Sequence, residues 1–193
     1  MNIKIQDEIE PYLYTKRLIL RNFSFNDLDE LFLLYNDQEV NQFLPWFIHE
    51  TKEVTKKYFE DKILNEISKG ESYYYVIEDK LSKKVIGYFS INNIDFQNMG
   101  ANLGYGIFKK YWNKGIVSEV GLEIIRYLQT LGFNYLTATH DVNNVGSGKV
   151  LQKIGMKYCY SYEEKWQPKN LDVIFRMYQI YLDGNNKRVY MEY

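Results

Sequence analysis

The 193-residue chain has a single cysteine, Cys159, so no disulfide can form within it, and a reducing cytoplasm is the expected compartment. A lone cysteine of this kind is expected in the core as a small apolar side chain. Charge of either sign is not in excess: the formal net charge is −1, which gives no bulk attraction to nucleic acid or to a membrane surface. No apolar run approaches membrane-spanning length. Residues 1–10 are polar and acidic, unlike a secretory leader. The two histidines lie far apart in sequence and do not form a metal-ligating cluster. Repeats, low-complexity linkers and composition shifts are missing too, so one domain spanning 1–193 is expected, with its core at about 12–182.

Tyrosine is abundant, at 19 residues. It can line a substrate cleft, or it can reflect a compositional bias shared with Lys, Asn and Ile; the second reading is preferred. Lys16 to Arg21 reads as a first strand with Leu18 and Leu20 on one face. Ser24-x-x-Asp27 is a helix-start signal, followed by a stripe of Leu28, Leu31, Phe32 and Tyr35 that Asn36-Asp37 interrupts. Val40 to His49 is apolar but irregular. Thr51 is placed to cap a second helix in which Phe59, Ile63, Leu64 and Ile67 share a face, ended by Lys69-Gly70. Strands are expected at Ser72 to Glu78 and Val85 to Ile91, joined by a polar turn. A polar loop, Asn92 to Ala101, leads to a strand at Asn102 to Phe108. Further strands are expected at Tyr135 to His140, Met156 to Tyr162 and Val173 to Leu182. Glu163 to Asn170 reads as a loop, 183–186 as a turn and 187–193 as a further pairing segment. Interleaved strands and helices with hairpins toward both ends indicate a single mixed-sheet α/β domain.

The most informative stretch is Lys110-Tyr111-Trp112-Asn113-Lys114-Gly115-Ile116-Val117-Ser118-Glu119-Val120. It joins a strand to a helix whose apolar positions are Val117, Val120, Gly121, Ile124 and Leu128. Unpaired N–H groups at the start of such a helix, with its dipole, make an anion site suited to a phosphate or pyrophosphate. The same pattern also fits an ordinary strand–helix connection. A second stretch, Asn144-Val145-Gly146-Ser147-Gly148-Lys149-Val150-Leu151-Gln152-Lys153-Ile154-Gly155-Met156, reads as a short helix ended by Gly155.

Together these stretches resemble the GNAT acyltransferase superfamily, and most closely its ribosomal-protein N-terminal acetyltransferase branch. That branch carries a Gly-Tyr pair followed by YWGKGYATEA, then an Asn…Ser…Lys…Gly-Phe pattern. Here Gly104-Tyr105, Tyr111 to Val120, and Asn144…Ser147…Lys153…Gly155-Met156 match it in order and spacing. Thr15 to Arg21 and Leu44-Pro45-Trp46 extend the match. The resemblance implies an α/β (α+β) fold with a mixed, mostly antiparallel sheet, splayed at the cofactor site and with helices on both faces. It implies acetyl-CoA as co-substrate, no metal, an amine acceptor and frequently a homodimer. The segment around Leu44-Pro45-Trp46 is then expected to cover the acceptor side.

Acyl transfer to an amine needs the cofactor held, the carbonyl polarised, the amine neutral and the leaving thiolate satisfied. On the resemblance, Trp112, Asn113, Lys114, Gly115, Ile116, Val117 and Ser118 hold the pyrophosphate. Asn113 stands where Gly is frequent, and Asn tolerates positive φ; Val117 stands where a small residue is usual. Ile107 and Phe108 lie on the strand beside the pantetheine arm, and the N–H near Ile107 polarises the thioester carbonyl. Gly104 and Gly106 on that strand mark either ligand approach or relief of crowding. Asn144 binds the arm and Ser147 lies near the sulfur, although both also fit a helix N-cap. The superfamily's usual proton-donating tyrosine position is Leu151, which leaves Ser147 as the candidate acid. Lys149 and Lys153 can meet the ribose phosphate or be solvated.

The branch's frequent glutamate base is Asn102 here, and Glu78, Asp95, His140 and water are the remaining candidates. The expected function is therefore acetyl transfer to a protein N-terminal amine. Open alternatives are a small amine such as a polyamine, antibiotic or aminoacyl nucleotide, and a non-catalytic acyl-CoA-binding module. A phosphate-binding domain unrelated to coenzyme A is a third.

Overall fold

The computed structural model describes residues 9–44, 46–166 and 169–184. Among the described residues, eight strands form one sheet in the order β1-β2-β3-β4-β5-β6-β8-β7. They are β1 (Tyr12–Tyr14), β2 (Leu18–Asn22), β3 (Tyr73–Asp79), β4 (Val85–Asp95), β5 (Gly100–Ile107), β6 (Tyr135–Asp141), β7 (Lys157–Trp166) and β8 (Leu171–Tyr181). The helices are α1 (Leu28–Asn36), α2 (Gln38–Asn41), α3 (Lys52–Tyr58), α4 (Leu64–Lys69), α5 (Ile116–Thr130) and α6 (Val145–Lys153). Among the pairings of this sheet only β5 with β6 is parallel, and a parallel pair needs a crossover, which α5 supplies.

Side-chain alternation explains why the sheet is covered on both faces. On β3, Tyr73, Tyr75 and Ile77 enter the core shared with Val120, Ile124 and Leu128 of α5 and Leu151 of α6. Tyr74 and Val76 face the other way, into a second core with Leu31, Leu34 and Tyr35 of α1. Leu18 and Leu20 are fully buried on the α5 side, and burying each side chain is worth about 1.5–3 kcal/mol. The three tyrosines of β3 are thus packing residues.

Several elements depart from the sequence reading. The first strand is the second arm of a hairpin, with Tyr12 to Tyr14 pairing Ile19 to Arg21; three residues carry too little pattern to be seen. Ser24 makes the expected capping box with Asp27, but it opens a short 3-10 turn before α1. Asp37 does break α1, and its side chain then accepts from Glu39 N and Val40 N to start α2, which runs into the segment read as irregular. Thr51 caps α3 as expected. A π-helical turn at Phe59–Ile63 separates α3 from α4. Its wider winding rotates the face, so Phe59 and Ile63 are buried while Leu64 is 36% exposed.

Strands β4 and β5 extend into the expected 92–101 loop, and β7 runs through polar residues to Trp166 because β8 pairs along its full length. Cys159 is partly exposed on β7, not in the core, because β7 is an edge strand among the described residues. The expected pairing segment at 187–193 lies outside the described residues. No helix among the described residues is long and apolar enough to cross a membrane.

Candidate active site

Strands β5 and β6 pair only from Gly100–Tyr135 to Asn102–Thr137. Beyond that β6 pairs with β8 while β5 continues along β4, so the two strands part. The N–H of Phe108 donates to Ile86 O across the β4 side. In an antiparallel ladder this direction alternates, so the N–H and carbonyl of Ile107 face the open edge. The Ile107 carbonyl is taken by the Trp112 indole N–H at 2.9 Å. A cleft of about 890 Å³ occupies the gap.

One wall of the cleft is the turn into α5. Asn113 (φ 58) and Gly115 (φ 70) both adopt left-handed backbone, the conformation anticipated for Asn113. Gly115 is the residue just before α5, and a Cβ built there has open space, with only Arg17 Nη2 at 4.0 Å. Glycine is therefore demanded here by the backbone and not by crowding within the chain. The Arg17 guanidinium holds the turn from outside, donating Nη1–H to the Lys114 carbonyl at 3.1 Å while Nε–H meets Glu119 at 2.7 Å. Glu119 also accepts from the Thr15 hydroxyl at 2.6 Å, and these bonds hold its carboxyl below the usual range against a burial that raises it.

Trp112, Asn113, Gly115, Ile116, Val117 and Ser118 line the cleft. Lys114 does not: it is exposed, with its ammonium over the Tyr111 ring. Phe108 also lies outside the lining. Val117 reconciles its bulk by packing most of its side chain into the main core.

The opposite wall is the start of α6. Asn144 Oδ1 accepts the Ser147 N–H at 3.0 Å, so Asn144 is the N-cap. Ser147 is not a cap: its hydroxyl lies 2.7 Å from the Tyr105 hydroxyl, across the cleft floor. Lys149 and Lys153 line the same wall and are solvent-exposed. Leu151 is fully buried. Gly106 lines the cleft, and crowding also demands glycine there, because a Cβ would come within 2.6 Å of the Tyr88 ring.

The structure brings together Ile107 with the α5 turn, Asn144 and Ser147. It does not bring the candidate bases to them. Glu78 is tied to Arg21 at 2.8 Å. Asp95 caps its own turn, accepting from Gln97 N, Asn98 N and the Asn98 side chain, which lowers its pKa. Asn102 reaches Thr137 Oγ1. His140 is buried beneath α6, where a Cβ on Gly148 would sit 2.9 Å from its ring. Its Nδ1–H donates to the Asp141 carbonyl at 2.7 Å, its Nε2 has no partner, and burial lowers its pKa.

Sequence reasoning missed two residues. Tyr105 lay inside the quoted Gly-Tyr pair, but its reach to Ser147 depends on the splay. Glu39, the carboxylate among the lining residues, comes from α2 with Val40, Phe43 lies in the turn after that helix, and Glu39 is ion-paired with Lys109. Its signal was the short helix overlooked after Asp37. Trp46 packs behind this wall, its indole N–H on Asn41 Oδ1 at 3.2 Å.

A parted parallel pair facing a helix N-terminus, with polar groups on a second helix, defines an acyl-carrier cleft of the N-acetyltransferase type. The model of the acetyltransferase (GNAT) domain family matches residues 17–157, and the chain belongs to that family. It is 30% identical over 147 residues to the uncharacterized N-acetyltransferase p20 of Bacillus licheniformis, covering 75% of this chain and 82% of that one. It is 31% identical over 98 residues to the ribosomal protein uS5 alanine N-acetyltransferase of Escherichia coli, covering 49% of this chain and 50% of that one. The ribosomal alpha-N-protein acetyltransferase RimL in complex with coenzyme A has the same fold, with TM-score 0.79, 19% identity and coverage of 90% and 99%. The chain is thus an N-acetyltransferase of the GNAT class.

Proposed function

We propose that this protein transfers the acetyl group of acetyl-CoA to a primary amine, with a protein N-terminal amine as its acceptor. The reading rests chiefly on the parted β5 edge, where the Ile107 N–H faces the cleft opposite Asn144 and Ser147. In this reading the backbone N–H groups at the α5 turn hold the pyrophosphate, with the left-handed residues Asn113 and Gly115 turning the chain toward it. Acetyl-CoA supplies an activated thioester. The Ile107 N–H donates to its carbonyl oxygen as negative charge develops there, a role worth roughly 10²–10³ in rate. Asn144 binds the arm, Lys149 meets the phosphate end, and Ser147 donates to the sulfur as the carbon–sulfur bond breaks.

No candidate base from the sequence lines the cleft. Glu39 therefore serves as counter-charge for the incoming ammonium, and water carries its proton away. General base catalysis is worth roughly 10²–10⁴, so this arrangement lowers the rate without removing the chemistry.

The similarity to the uS5 alanine N-acetyltransferase supports a peptide N-terminus as acceptor. A spermidine N-acetyltransferase from Vibrio cholerae shares the fold, with TM-score 0.73 and 18% identity, and keeps a polyamine acceptor as the second reading. Steady-state turnover with peptides of free N-terminus and with spermidine tests this choice. The proposal expects kcat/KM to favour the peptides and blocked N-termini to be inert; a preference for spermidine overturns it.

A further inference from the structure

The usual phenol on the second helix is absent, since its position is the buried Leu151. The cleft nevertheless holds a phenol at Ser147. Tyr105 projects from β5, its ring stacked on Phe89 at 5.7 Å, and its hydroxyl lies 2.7 Å from Ser147 Oγ and 3.3 Å from the Ser147 carbonyl. A carbonyl can only accept, so the phenol proton points at Ser147. Between the two hydroxyls either oxygen can be the donor; with the phenol donating to Ser147 Oγ, the serine proton is left to donate elsewhere. Burial pushes the Tyr105 phenol above its ordinary range, so it stays protonated throughout the working pH.

We propose that Tyr105 is the positioning residue of the leaving-group donor: its hydroxyl fixes the Ser147 rotamer and directs the Ser147 proton at the sulfur of coenzyme A. The inference rests on the reading that coenzyme A occupies this cleft with its sulfur beside Ser147. No net proton leaves Tyr105. As the amine nitrogen bonds to the acetyl carbon, the carbon–sulfur bond breaks and its electron pair stays on sulfur. The Ser147 hydroxyl hydrogen-bonds that thiolate, and the proton lost by the nitrogen reaches the sulfur through water. A hydroxyl that is itself an acceptor is a better donor, because chained hydrogen bonds polarise one another. The pair thus does from two elements what a single helix tyrosine does elsewhere.

The titration at the centre of the test needs no acceptor. Coenzyme A bound to the full-length protein is titrated by its ultraviolet thiolate absorption in wild type, Tyr105→Phe, Ser147→Ala and the double variant. A donor aimed at the sulfur stabilises the thiolate, so each single variant should raise the bound thiol pKa by roughly one unit, about tenfold in acid constant. The double variant should go no further than Ser147→Ala. Tyr105→Phe keeps the ring and its stacking, so KM for acetyl-CoA and the melting temperature should change little while kcat falls. A Tyr105→Phe titration equal to wild type, or a double variant equal to the two singles added, overturns the inference. A Ser147→Ala titration equal to wild type overturns instead the placement of the sulfur at Ser147, and failure of wild type to bind coenzyme A overturns the functional reading beneath both.

Discussion

Replacing Gly115 with valine separates a backbone cause from a steric one. Gly115 has φ 70 and ψ 11, and a Cβ there meets nothing in the chain closer than Arg17 Nη2 at 4.0 Å. The cost is therefore conformational, about 1–2 kcal/mol for an L residue held in the left-handed region, and a β-branched one lies at the upper end. For a chain of this size that lowers the melting temperature by about 2–4 °C per kcal/mol. If the strain is relieved by turning the Gly115 peptide, the first N–H groups of α5 swing away from the cleft. Acetyl-CoA affinity then falls by a similar free energy, about tenfold for each 1.4 kcal/mol. Differential scanning calorimetry and titration calorimetry read the two effects. Asn113→Gly is the control, because φ 58 is already left-handed there and glycine relieves it; its stability should hold or rise. Unchanged melting and unchanged affinity for Gly115→Val would refute the reasoning.

Other consequences can be checked separately. Glu39→Gln removes the carboxylate from the cleft wall without touching the α5 turn; KM for the amine should rise several-fold while acetyl-CoA affinity stays put in titration calorimetry. The pKa values of His49 and His140 are both lowered by burial, so the unfolded chain binds more protons below the ordinary histidine value. Their contribution is intact above about pH 6.5 and is lost as pH falls below it, so the melting temperature should drop between about pH 6.5 and 5, less steeply in His140→Gln. Among the described residues β7 is an edge strand carrying exposed Tyr158, which suits pairing with a second copy; light scattering at micromolar concentration should give a homodimer, and a monomer counts against it.

The legible parts of the sequence were those set by local chemistry. Periodicity located α1 and α5, and Ser24 and Thr51 announced their turns because capping uses a few neighbouring atoms. The α5 turn was readable because Asn113 and Gly115 are residue types that accept positive φ. What stayed hidden depends on partners distant in sequence. The end of β7, Glu163 to Trp166, read as loop and is a strand only because β8 pairs with it. Residues Tyr105 and Ser147, 42 apart, meet only because β5 and β6 separate. Glu39 reaches the cleft through a four-residue helix too short to leave a period. Conversely Glu78, Asp95 and His140 had suitable chemistry, and the fold spends it on ion pairing, turn capping and packing.

The most direct test is thiol release from acetyl-CoA by the purified protein in the presence and absence of a peptide with a free N-terminus. The account predicts release that saturates with both substrates, depends on the unprotonated amine and yields an N-acetylated peptide by mass spectrometry. Tight acetyl-CoA binding with no release above the uncatalysed rate, across peptides and small amines, would contradict it and leave an acyl-CoA-binding module.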